Sequence, residues 1–281
     1  MKFKSGLKGT LLAFTVFLLL DSCSSSGKTT SSKNTVKGLK DYYKDYFPTG
    51  VAVTPRSLHG GDSALIVTHF NSLTAENAMK MGPIHPRENE YFWKDADEIA
   101  AFARKHGMKM RGHTLCWHSQ APNWMFKNEK GDTVSKEGLL QRLKEHITTV
   151  VNRYKDDVYG WDVVNEAIDD NNANYLRNTA WYRICGEEFI ARAFEYAYAA
   201  DPKAVLFYND YNTESAGKRD RIYRLVKSLK DAGVPIHGVT ALLKDATRTK
   251  TIYTYSLIDF YESISITCLK KKEGNARFPS Y

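Results

Sequence analysis

Short apolar runs of strand length alternate along this chain with longer segments whose apolar residues recur at helical spacing. That alternation constrains the fold more than any other feature, because strand, helix, strand repeated in order builds a parallel sheet covered by helices. The strand candidates are residues 50–53, 69–73, 109–115, 158–164, 204–209 and 235–239. Between them, Ile99, Phe102, Ala103 and His106 share one helical face. So do Leu139, Leu143, Ile147, Val150 and Tyr154, then Phe189, Ala193 and Tyr196, then Ile222, Leu225, Val226 and Leu229. Gly107 and Gly233 follow two of these helices, where a glycine that accepts left-handed φ ends a helix well.

Two parallel architectures fit: an open doubly wound sheet and a closed (β/α)8 TIM barrel. The open sheet usually carries a glycine-rich phosphate loop after its first strand. Gly60-Gly61 is the only glycine pair, and no G-x-G-x-x-G follows it. A barrel gathers its polar residues at the C-terminal ends of several strands. Asn71 and Glu76 are placed so on one strand, His113 on another, Asn165-Glu166 on a third and Asn209-Asp210 on a fourth. The barrel is the expected fold, with these residues on one rim.

Charge and cysteine narrow the partners. The formal net charge of the 281 residues is +8, but residues 1–22 carry +2 of it and residues 244–281 carry +3. A nucleic-acid binder concentrates positive charge on its folded domain. More than half of the excess here sits at the two ends, so no nucleic-acid partner is inferred. Lys2, Lys4 and Lys8 precede an apolar run, Leu11 to Leu20, that is too short to span a bilayer. Leu20-Asp21-Ser22-Cys23 and a serine-rich stretch follow. This reads as a signal peptide over residues 1–22 and a polar tether over residues 23–40, with Cys23 as the lipid-attachment residue of an exported cell-envelope lipoprotein. Simple secretion is the alternative. Three further cysteines, Cys116, Cys185 and Cys268, make an odd number that argues against a disulfide framework. Cys116 falls in an apolar strand and reads as a small core residue. No Cys/His spacing suggests a metal site.

The chemistry is carried by strand ends. Trp161-Asp162-Val163-Val164-Asn165-Glu166-Ala167 is a strand that stops at an amide and a carboxylate. Cleavage of a glycosidic bond needs one carboxyl to protonate the leaving oxygen and another to attack or to activate water. A Glu at a strand end can meet both sugar and solvent. Taken alone it could equally cap the next helix. Arg111-Gly112-His113-Thr114-Leu115-Cys116-Trp117-His118-Ser119-Gln120 adds two histidines, a tryptophan and a glutamine. Phe70-Asn71-Ser72-Leu73-Thr74-Ala75-Glu76-Asn77 with Lys80, and Phe207-Tyr208-Asn209-Asp210-Tyr211-Asn212, add two more polar ends. Seventeen Tyr and five Trp supply either core or flat platforms for sugar rings, and only position distinguishes these.

These four segments resemble, in order and nearly word for word, glycoside hydrolase family 10, the endo-β-1,4-xylanases. The resemblance covers residues 41–238. It implies an eight-fold barrel, a retaining mechanism without cofactor or metal, and xylan as substrate of what reads as a monomer. It makes Glu166 the proton donor and base, and Asn165 its neighbouring sugar contact. Glu76, Asn77 and Lys80 match residues on the non-reducing side of the xylan chain. His113, Trp117 and Gln120 match residues around the cleaved sugar, and Asn209 and Tyr211 match positions lining the cleft. A cellulase, which shares an Asn-Glu strand end, and a xylan-binding homologue without hydrolysis are the alternatives.

The likeness stops after Gly238. The family continues with a Gln and a His on the sixth strand and, later, a nucleophile in an Ile-Thr-Glu-Leu-Asp strand. Here Val239-Thr240-Ala241-Leu242-Leu243-Lys244 follows, and Ile264-Ser265-Ile266-Thr267-Cys268-Leu269 puts Cys268 where the Glu is wanted. Asp259, Glu262 and Glu273 are the nearby carboxylates, in no matching motif. Residues 239–281 therefore read as a divergent tail, as a reading-frame shift would produce. The nucleophile is unidentified, the last strands are expected to be missing or non-native, and the activity of this chain is expected to be impaired.

Overall fold

A computed structural model of the chain describes residues 36–242. The signal peptide, Cys23, most of the tether and most of the divergent tail lie outside the described residues. Six strands form one sheet: β1 (Gly50–Val53), β2 (Ser72–Ala75), β3 (Lys109–Trp117), β4 (Val158–Asn165), β5 (Val205–Tyr211) and β6 (Gly238–Leu242). They lie in sequence order and every neighbouring pair is parallel. That is the order of six successive strands of a TIM barrel, and among the described residues the sheet is an open, incomplete barrel with β1 and β6 at its edges.

Eight α-helices accompany the strands among the described residues. A short α1 (Leu39–Tyr42) leads in, and α2 (Gly60–His69) connects β1 to β2. Then α3 (Met81–Ile84) and α4 (Lys94–Lys105) connect β2 to β3, and α5 (Lys136–Tyr154) connects β3 to β4. Finally α6 (Ala180–Cys185) and α7 (Glu188–Ala200) connect β4 to β5, and α8 (Ala216–Asp231) connects β5 to β6. α5 and α8 bury the whole stripe their spacing predicts, and α4 and α7 most of theirs, with Phe102, His106 and Tyr196 only half-buried. Ala96, Ile99, Ala100 and Ala103 of α4 are buried, as are Phe189, Ile190, Ala193, Phe194 and Ala197 of α7. Ser135 caps α5, its hydroxyl accepting from the Gly138 N–H at 3.1 Å. Gly107 and Gly233 take φ of +62° and +75° after α4 and α8, the helix-ending role expected of them. β4 is buried at every residue but Tyr159, as a parallel strand covered on both faces must be.

Three sequence expectations need correction. The strand expected at 69–73 lies at Ser72–Ala75, because residues 60–69 form α2, which turns Ile66 inward. Asn71 consequently precedes β2 and sits at the opposite end from Glu76. β3 runs two residues past Leu115, so His113 lies within the strand and not at its end. The sixth strand is shifted to Gly238–Leu242, and pairs Phe207 with Gly238 through Tyr211 with Leu242. It continues beyond Gly238, where the motif pattern stops.

One close approach explains why residue 112 must be small. A Cβ on Gly112 would stand 2.1 Å from Cε3 of Trp161, its register partner on β4. Trp161 is fully buried, so its ring has nowhere to go. Cys116 is a buried free thiol of β3, and Cys185 is buried and free at the end of α6. Burial pushes the Cys185 thiol up to about 11.

Candidate active site

Glu166 directly follows β4 with a φ of +56°. Its Oε2 accepts the indole N–H of Trp117, the last residue of β3, at 3.1 Å. Trp117 is paired in register with Asn165, and Asn165 with Asn209. The strand ends of β3, β4 and β5 thus deliver Trp117, Asn165 and Asn209 to one level of the sheet. Nδ2 of Asn209 donates to Oδ1 of Asn165 at 2.7 Å, and both side chains are buried.

The β2 end joins through Lys80. Its ammonium lies 4.9 Å from the centre of the Trp117 ring and donates to Oδ1 of Asn77 at 2.9 Å. Gln120 Nε2 reaches the same Asn77 oxygen at 3.5 Å. Glu76 is exposed, with its backbone N–H bonded to the Val53 carbonyl at 3.0 Å. Asn77, Lys80, Gln120, Trp117 and Glu166 are therefore one connected group, as the motifs suggest. A cation stacked on an indole that itself donates to a carboxylate is a preorganised polar surface for a hydroxylated ligand.

His113 lies four residues before Trp117 on β3. Its Nδ1 is 2.8 Å from Oδ2 of Asp162. Asp162 also takes Arg111 Nη2, and Arg111 Nη2 donates to Thr240 Oγ1 at 2.8 Å. Thr240 in turn donates to Oδ1 of Asn209 at 2.6 Å. Burial alone would raise the Asp162 carboxyl, but the Arg111 guanidinium and His113 hold it below the usual carboxylate range. A buried ionic network thus runs beneath the site from β3 through β4 and β6 to β5.

A second network lies on the far side of Glu166. Tyr211 bonds Asp170 and accepts from Arg177 Nη2 at 2.6 Å. Lys218 Nζ bridges Asp170 at 2.9 Å and Asp210 at 2.8 Å. Burial, helped by Asp170, pushes the Tyr211 phenol up to about 12. Burial alone would raise Asp170, yet Tyr211, Lys218 and Arg177 hold it far below the usual carboxylate range. Sequence reasoning gave no role to Arg111, Asp162, Thr240, Asp170, Arg177, Tyr208 or Lys218. The available signal was Arg111 and Asp162 standing inside otherwise apolar strands, where a charge needs a partner.

A parallel, sequentially ordered sheet with a carboxylate, an amide pair and an indole at its strand ends is that of a (β/α)8-type protein with polar residues gathered on one rim. Residues 38–249 match glycosyl hydrolase family 10, and the chain belongs to that family. It is 53% identical over 215 residues to the endo-1,4-β-xylanase/feruloyl esterase of Xylanibacter ruminicola, covering 72% of this chain and 30% of that protein. It is 50% identical over 204 residues to endo-1,4-β-xylanase B of Paenibacillus barcinonensis, covering 73% of this chain and 61% of that protein. Among solved structures, xylanase XynB from Paenibacillus barcinonensis superposes with a TM-score of 0.72 at 49% identity, covering 74% of this chain and 63% of the other. A psychrophilic family 10 endo-β-1,4-xylanase superposes with a TM-score of 0.70 at 56% identity, covering 73% and 64%. The chain thus spans less than two thirds of the length of these relatives.

Proposed function

We propose that the site is built for endo-hydrolysis of β-1,4-xylosidic bonds in xylan by retaining double displacement, and that this chain performs the reaction poorly. The observation that carries the reading is the Trp117 indole bonded to Glu166 at the end of β4, beside the Asn165–Asn209 pair. Glu166, protonated at the outset, gives its proton to the departing glycosidic oxygen while a second carboxylate attacks the anomeric carbon. Glu166 then takes a proton from the water that frees the sugar. Glu76, Asn77 and Lys80 hold the sugar on the non-reducing side, His113, Trp117 and Gln120 surround the cleaved unit, and Asn209 and Tyr211 line the cleft.

The weak step is the attack. A retaining pair stands ~5–5.5 Å apart. Three acidic side chains around Glu166 are committed elsewhere: Asp162 to Arg111 and His113, Asp170 to Arg177 and Lys218, and Asp210 to Lys218. After Gly238 the sequence carries Cys268 where the family places its nucleophilic Glu. Without that carboxylate the positive charge developing at the anomeric carbon is neither trapped nor balanced.

Reducing-sugar release from xylan by the purified 281-residue protein tests this. The expected rate is about a thousandfold or more below that of an ordinary glycosidase. Ordinary turnover would show that a carboxylate such as Asp259, Glu262 or Glu273 completes the pair. Xylotriose binding measured by calorimetry separates the remaining readings. Binding without hydrolysis supports a xylan-binding homologue, and no binding refutes the sugar site itself. Tighter binding of cello-oligosaccharides would favour a cellulase. Export, lipid attachment at Cys23, and a monomeric state belong to the same proposal and rest on the sequence.

A further inference from the structure

Glu166 pays a conformational penalty for its place. A φ of +56° is left-handed, a region that non-glycine residues seldom occupy. Something must hold the turn. The Glu166 N–H donates to the Asn209 carbonyl at 2.8 Å, and Arg177 Nε donates to the Glu166 carbonyl at 2.9 Å. The next two amides, of Ala167 and Ile168, both donate to the phenol oxygen of Tyr208, at 3.0 and 3.1 Å. Tyr208 is fully buried on β5, and its own proton goes to Oδ2 of Asp210 at 2.5 Å. Asp210 is tied through its other oxygen to the buried ammonium of Lys218 at 2.8 Å. With its proton committed to Asp210, the phenol has both lone pairs left for the two amides.

We propose that Tyr208 is a positioning residue for Glu166. Its phenol oxygen, oriented by Asp210 and Lys218, pins the two amides after the left-handed turn and so keeps the Glu166 carboxyl against the Trp117 indole N–H. Core packing alone does not require this oxygen, since Phe fills nearly the same volume. Ala167 and Ile168 are themselves buried, so without the phenol their N–H groups have no water to turn to. The proposal rests on reading Glu166 as the acid, but its test needs neither sugar nor turnover.

The test is nuclear magnetic resonance on the full chain, comparing Tyr208→Phe, Asp210→Asn and Glu166→Gln with the parent. In Tyr208→Phe the Ala167 and Ile168 amide protons should exchange about tenfold faster or more, as buried donors that have lost their acceptor do. The Trp117 indole N–H resonance should move toward its position in Glu166→Gln. Its pH dependence, which follows proton binding by Glu166, should flatten. Asp210→Asn keeps the phenol but loosens its orientation, and should shift both readouts the same way by less. It carries the test should Tyr208→Phe fail to fold. A folded variant in which the Trp117 resonance keeps its parental position and pH dependence overturns the proposal. A parent whose Trp117 resonance ignores pH would instead sink the reading of Glu166, leaving amide exchange to decide the role of Tyr208.

Discussion

The indole N–H of Trp117 meets Oε2 of Glu166 across 3.1 Å, so the end of β3 holds the carboxyl that ends β4. The bond places the indole edge against one carboxyl oxygen and leaves the other for a proton and a leaving group. Glu166→Gln keeps the shape and removes the acidic proton that the leaving group needs. Residual xylan hydrolysis should fall by about a hundredfold or more. Xylotriose affinity, measured by calorimetry, should change only slightly, because the amide still accepts from Trp117. Equal hydrolysis in the variant would take Glu166 out of the acid role.

Gly112 answers to Trp161. Adding a methyl group 2.1 Å from a fully buried ring forces β3 and β4 apart or the ring off its rotamer. Gly112→Ala should cost about 1–3 kcal/mol or more of unfolding free energy. Denaturant unfolding checks this, and an unchanged midpoint would mean that the strands have slack which the packing does not show.

Acid should loosen the β2–β3 side of the molecule. His85 and His146 are buried, with their Nδ1 atoms 3.1 Å apart. Burial lowers His85 to about 4, and burial together with His85 lowers His146 to about 3. Both folded values lie below the ordinary 6.5, so the unfolded chain binds protons more readily. The stability they contribute is present above pH 6.5 and is lost as pH falls toward 4 and then 3. The loss should be on the order of several kcal/mol. Urea midpoints measured across this range should drop, and the drop should be shallower in His146→Gln. A residual slope will remain, since burial also lowers His118 and His237. A stability that stays flat between pH 6.5 and 4 would contradict the assignment.

The N-terminal reading has its own test. If Cys23 is acylated, Cys23→Ser should transfer the protein from the membrane fraction to the soluble one, because the acyl chains provide the anchor. Unchanged partition after fractionation would rule out lipid attachment at this residue.

Much of the architecture is legible in the order of the amino acids alone. The 3.6-residue spacing over Leu139, Leu143, Ile147 and Val150 and the apolar run ending in Asn165-Glu166 are local signals, and local spacing dictates which face of an element is apolar. The parallel order of the strands follows from the helices between them, and the four motifs bring together Asn77, Lys80, Trp117, Gln120 and Glu166. Element boundaries are less legible. The apolar run Ala64-Leu65-Ile66-Val67 suits strand or helix, and only packing against its neighbours makes it α2 and moves the strand to Ser72. What supports the site is hidden for a further reason. Asp162 belongs with Arg111 and Thr240, and Tyr208 with Ala167, Ile168 and Asp210, across separations of 40 residues or more in several of these pairs. Such pairings come from strand register and from the requirement that buried polar groups find partners, and both exist only once the sheet has formed.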